Sequence, residues 1–117
     1  MPQSRFTTPV LQAMAERFKA LSDPNRLAIL IALRGGEKSV SELMEATALA
    51  QANVSKHLSV LHRMGYVERR RAGGYVFYRM SATDVFKVCD LMCDRLVNEA
   101  ARWSELATAG RRSTNSI

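Results

Sequence analysis

No stretch of this 117-residue chain approaches the roughly 18 consecutive apolar residues that a membrane-spanning helix needs, although 47% of its residues are hydrophobic. That apolar content is spent on periodic faces, and the length suits one compact domain with a real core rather than two. The opening Met1-Pro2-Gln3-Ser4-Arg5 has no apolar signal core, so a cytoplasmic protein with no membrane partner is expected. Cysteine is scarce. Cys89 and Cys93 are the only two, four residues apart, and so short a loop would hardly constrain an unfolded chain. That excludes a secreted disulfide framework and makes reduced thiols the expectation. Histidine is equally rare: His57 and His62 sit five apart, off any common helical face and with no acid beside them, which argues against a metal site there. No Cys and His share an element, the acids are scattered, and there is no glycine-rich phosphate cradle, so an enzyme is the weakest reading.

What is abundant is positive charge. The net charge is +6 and the pI about 9.9, a balance that suits a polyanionic partner but would equally suit a ribosomal or membrane-surface protein. Distribution separates these. Between Gln51 and Met80 six basic side chains, Lys56, Arg63, Arg69, Arg70, Arg71 and Arg79, face the single acid Glu68. Neither end of the chain is a basic tail, so the charge belongs to folded elements and points to nucleic acid.

Val10, Leu11, Met14, Phe18 and Leu21 recur at helical spacing and predict a first helix that stops near Ser22-Asp23-Pro24. Asp23 is then placed to cap a second helix with Pro24 in its first turn, where a missing N–H does no harm. Its apolar face is read as Leu27, Leu30, Ile31 and Leu33, ending at Gly35-Gly36. Ser39 or Ser41 can cap a short third helix to about Thr47, with Glu42 as a capping-box partner of Ser39. A fourth helix over 51–64 buries Val54, Leu58 and Leu61 at i, i+4, i+7 and leaves a polar face outward. Two helices joined by about three residues, the second polar near its start, make a helix-turn-helix.

Tyr66 to Arg71 and Tyr75 to Met80 alternate with period two around Ala72-Gly73-Gly74, the pattern of an antiparallel hairpin or wing. A last helix over 83–107 carries an apolar band through Val85, Phe86, Val88, Cys89, Met92, Leu96, Val97 and Trp103. It would be about 37 Å long, more than one small winged domain needs, and the surplus reads as a dimer interface. The fold class is therefore mainly α with a small β-hairpin wing, a winged helix-turn-helix in the order ααααββα. Residues 9–108 form the DNA-binding and dimerisation domain, with 1–8 and 109–117 as flexible tails.

Within that frame Gln51 and Asn53 have amides able to bond adenine bidentately, and Ser55 and Lys56 reach base edges or phosphates. The candidate DNA contacts are Gln51, Ala52, Asn53, Ser55, Lys56, His57, Ser59 and Arg63 on the helix. On the wing they are Arg69, Arg70, Arg71, Gly73, Gly74 and Arg79. Tyr75, Phe77 and Tyr78 offer either a stacking platform for single strands or strand aromatics packed on the core, and packing is favoured. His57 is read as packing beside Leu58 and bonding the backbone or a phosphate.

An ordered set of motifs resembles the arsenic-repressor (ArsR/SmtB-type) family of winged helix-turn-helix transcriptional regulators. It comprises FKALSDPNRLAIL at 18–30, VSEL at 40–43, QANVSKHLSVL at 51–61, GYVE at 65–68 and Tyr78-Arg79. The resemblance implies a homodimer joined through the first and last helices, a cytoplasmic repressor, and a palindromic double-stranded DNA operator read by two recognition helices. It leaves the effector open. A cysteine motif of the metal-sensing members would fall at 40–47, where there is no Cys, and a zinc site on the last helix would need His, absent from 83–107.

The remaining candidate metal ligands are Cys89 and Cys93, at i, i+4 on one helical face and able to share As(III), Zn(II) or Cu(I) or to respond as thiols to an oxidant. Two thiols are short of a full ligand set, and a third would come from the dimer mate. Against this, both continue an apolar band in which Cys serves as a small hydrophobe, and Asp90 and Asp94 disfavour a thiolate. No cofactor is required for folding. The rival function is a protein-interaction module working through the wing and third helix; an uncharged or acidic face would have favoured it, and this one is basic.

Overall fold

The computed structural model describes residues 4–115, with side chains to residue 110. Positions 1–3 and 116–117 of the expected tails lie outside the described residues. The chain divides between Thr83 and Asp84 into two compact units.

The first unit contains α1 (Thr8–Leu21), α2 (Pro24–Leu33), β1 (Lys38–Ser39), α3 (Val40–Thr47), α4 (Gln51–Arg63), β2 (Val67–Ala72) and β3 (Tyr75–Met80). Its core is Ile29, Leu30 and Leu33 from α2, Leu43 from α3, Val54, Leu58 and Leu61 from α4, and Val67 from β2, all buried. Asp23 caps α2 as its sequence predicts: Oδ1 accepts from the backbone N–H of Asn25 at 2.8 Å and of Arg26 at 3.2 Å. These amide dipoles, that of Arg26 foremost, hold the Asp23 carboxyl below its usual range.

Three details of packing and pairing add to the sequence reading or depart from it. Ile31 is exposed and Ile29 takes its place in the core; α2 is apolar nearly all round, so periodicity could not choose between them. Val10, Leu11 and Phe18 of α1 are exposed, and Ala20 is that helix's buried residue. The sheet has three strands in the order β1-β3-β2, since Lys38 and Ser39 pair antiparallel with Tyr78 and Phe77. A two-residue strand is too short to show any alternation.

The second unit is α5 (Val85–Asn115), 31 residues or about 46 Å of helix. It starts two residues after the expected Thr83 and continues past the expected boundary at 108, because neither Gly110 nor the polar residues after it break a helix by themselves. Val85 and Phe86 are buried, whereas Val88, Leu91, Met92, Leu96, Val97, Trp103 and Leu106 are exposed.

Candidate nucleic-acid interface

The helix-turn-helix is built by local chemistry at both of its helices. Ser39 and Glu42 form a reciprocal capping box at the start of α3: Ser39 Oγ accepts from the Glu42 N–H at 3.2 Å, and Glu42 Oε1 from the Ser39 N–H at 3.0 Å. Bonding to the Ser39 backbone N–H draws the Glu42 carboxyl below its ordinary range. At the turn Ala48 takes a left-handed conformation, φ 58°, and its N–H bonds the carbonyl of Met44 at 2.9 Å. Ala48 carries a Cβ, so it meets a steric cost there that glycine would not. The α4 helix then begins at Gln51 with Ala50 as its N-cap, and no side chain caps it.

With Val54, Leu58 and Leu61 fully buried, α4 turns Gln51, Ala52, Asn53, Ser55, Lys56, Ser59 and Arg63 to the exposed side. His57 is corrected as a DNA contact. It is 7% exposed and faces inward, with Nδ1 3.4 Å from Arg26 Nη1 and Nε2 4.0 Å from Asp23 Oδ1. Arg26 itself donates through Nε to the Ala20 carbonyl at 2.6 Å. A buried imidazole in the middle of α4 thus faces the capped start of α2. Packing of His57 is one of its two sequence readings, but its partners Arg26 and Asp23 lie far away along the chain, where no local pattern points to them.

The wing follows from Gly73 and Gly74, whose φ values of 55° and 82° make the tight turn that matches strand twist. Pairing runs from Val67 opposite Met80 to Ala72 opposite Tyr75. Arg69 and Arg71 share one face of β2 with Val67, and Arg70 lies on the other with Glu68. Two of the expected DNA contacts are held by acids. Arg79 donates to Glu68 Oε2, from Nε at 2.9 Å and Nη2 at 2.8 Å. Arg70 forks onto Glu37, with Nε 3.2 Å from Oε2 and Nη2 on Oε1, and its Cζ lies 5.1 Å from the Phe77 ring centroid. That hydrogen bond lowers the Glu37 carboxyl below its ordinary range and raises the Arg70 guanidinium. Lys56, Arg63, Arg69 and Arg71 are exposed and make no ion pair among the described residues. Of the wing aromatics, Phe77 and Tyr78 are half-buried, but Tyr75 is 68% exposed beside the turn, against the packing expected of it.

Both thiols lie on α5, Cys89 half-buried and Cys93 exposed. Among the described residues no group of three or more His, Cys, Asp or Glu is placed to hold a metal ion within one chain. A metal at these thiols would need ligands from elsewhere.

Helix, tight turn, polar-faced helix and basic hairpin together define a winged helix-turn-helix. Residues 23–69 match the family model described as "Bacterial regulatory protein, arsR family". The HTH-type transcriptional regulator NmtR of Mycobacterium tuberculosis is 35% identical over 89 residues, covering 76% of this chain and 74% of NmtR. The HTH-type transcriptional repressor SmtB of the same organism is 39% identical over 72 residues, 62% of this chain, and the match spans only about half, 53%, of SmtB's length. A solved homodimeric winged helix-turn-helix DNA-binding domain from Mycobacterium bovis, a possible ArsR-family regulator, superposes with a TM-score of 0.71. It is 31% identical, and the match covers 83% of this chain and 93% of that one. The chain belongs to the arsR family of bacterial regulatory proteins, a family of transcriptional regulators and not of enzymes.

Proposed function

We propose that this protein is a cytoplasmic, homodimeric repressor that binds a palindromic operator in double-stranded DNA through α4 and the wing and is released by an effector acting at Cys89 and Cys93. The observation that carries the DNA reading is the exposed polar face of α4 flanked by the unpaired cations Lys56, Arg63, Arg69 and Arg71. Gln51, Asn53 and Ser55 are the base readers, Ala52 and Ser59 allow close approach, and the four cations take phosphates. The uncapped first turn of α4 leaves backbone N–H groups for a phosphate oxygen. Gly73 and Gly74 let the wing tip come near the backbone.

Gln51→Ala is expected to lose roughly 1–3 kcal/mol on the operator while binding to random duplex barely changes. Fluorescence anisotropy on both duplexes checks this, and equal losses on the two would reduce Gln51 to a positioning contact. Because a two-fold dimer presents α4 twice, half-sites should be centred about one helical turn, or a small multiple of it, apart.

Dimerisation is assigned to α1 and α5. Both expose apolar side chains, Val10, Leu11 and Phe18 on one and Leu91, Met92, Leu96 and Val97 on the other, and the M. bovis relative is a homodimer. No helix among the described residues is long and apolar enough to cross a membrane.

An effector releases DNA only if it binds the free form better than the DNA-bound form. Thiols on a dimerising helix meet that condition if bridging them changes how the two copies cross. As(III) or another thiophilic ion would take Cys89 and Cys93 of one copy and a thiol of the other. A gel-shift titration with As(III), Zn(II), persulfide and peroxide should release wild type with at least one of them and leave Cys89→Ser/Cys93→Ser bound. Release of the double variant at the same dose would make the cysteines packing residues.

A further inference from the structure

The arginine run of the wing is divided by the strand's alternation, and its central member is already engaged. Arg70 lies on β2, opposite Phe77 of β3, which in turn lies opposite Ser39 of β1. Its guanidinium passes over the Phe77 ring at 5.1 Å and ends on Glu37, just before β1. One side chain therefore crosses the sheet from one edge strand to the other. The fork is bidentate, so it fixes orientation as well as distance.

What it ties down is held by little else. β1 has only Lys38 and Ser39, each with a single partner on β3. Directly after it, Ser39 is both the end of β1 and the capping residue of α3. The sequence of contacts runs from Arg70 to Glu37, along β1 to the Ser39–Glu42 capping box, and so into the first helix of the helix-turn-helix.

We infer that Arg70 and Glu37 are a positioning pair that sets the wing against the helix-turn-helix, so that Arg69 and Arg71 meet phosphates while α4 lies in the groove, and that Arg70 is not itself a phosphate ligand. This rests on the DNA-binding reading above. Its competitor is simple masking, in which Glu37 only neutralises a cation that would otherwise bind DNA. The two predict opposite signs. Removing the Glu37 charge raises the net positive charge, so masking predicts tighter binding, whereas positioning predicts weaker binding.

The test measures affinity for an operator duplex selected from a random pool, by fluorescence anisotropy from about 50 to about 200 mM salt. Glu37→Gln is expected to weaken binding about fivefold without changing the slope of log affinity against log salt. Arg70→Gln should behave alike, the double variant should add nothing further, and the exchanged pair Glu37→Arg/Arg70→Glu should recover most of the loss. Arg71→Ala, by contrast, should flatten the slope by about 1 per protomer. An exposed ion pair adds little to global stability, so thermal unfolding of these variants should match wild type. Tighter or unchanged binding by Glu37→Gln, or a slope flattened by Arg70→Gln as by Arg71→Ala, would overturn the positioning role while leaving the DNA interface standing. Wild type whose duplex binding ignores salt would overturn the interface itself.

Discussion

Raising the salt from about 50 to about 200 mM should weaken operator binding by about a thousandfold. About six phosphate contacts per bound dimer, each releasing roughly 0.9 of a condensed counterion, give a log–log slope near −5. The contacts are drawn from Lys56, Arg63, Arg69 and Arg71 of each copy, whose exposed side chains no carboxylate neutralises among the described residues. Arg69→Ala and Arg71→Ala should weaken operator and random duplex alike and flatten the slope. Arg79→Ala should flatten it less, because Arg79 already donates to Glu68. Anisotropy titrations at several salt concentrations give all of these slopes, and binding indifferent to salt would remove the electrostatic basis of the interface.

Leu58→Ala should cost about 2–5 kcal/mol of stability, a large part of the roughly 5–15 kcal/mol that holds a domain of this size folded. Leu58 is fully buried on α4, with Val54 and Leu61 on the same face, so the substitution leaves a cavity where the recognition helix is seated. Urea unfolding at fixed protein concentration measures the loss, since dimerisation would make stability depend on concentration. Ser59→Ala, one residue on and exposed, should change stability by less than about 0.5 kcal/mol. Similar losses at both positions would mean that α4 is not anchored through this face.

How much could be read in advance depended on the range of the interactions. The Asp23 cap, the Ser39–Glu42 capping box, the i, i+4, i+7 face of α4 and the Gly73-Gly74 turn all arise between residues a few positions apart. Their physics is local, so residue type and spacing suffice to place them. The same local rules located the helix-turn-helix and wing, and the exposure of Gln51, Asn53, Ser55 and Lys56 followed from burying the opposite face of α4.

Residue type could not tell which cations of the basic stretch are free. Arg69, Arg70 and Arg71 are chemically alike, and only the folded sheet sets Arg70 across Phe77 against Glu37, 33 positions away. His57 has the polar character of a surface residue, but packing of α4 against α2 turns it in towards Arg26 and Asp23. In α2, where nearly every side chain is apolar, neighbouring helices chose Ile29 over Ile31 for the core. β1 has two residues and exists because β3 is there to pair with it. Sequence by itself determined the helices, their caps, the turn and the sign of the charge, since each depends on near neighbours. The tertiary structure decided which side chains are engaged and which remain available, because that depends on partners brought together only when the elements pack.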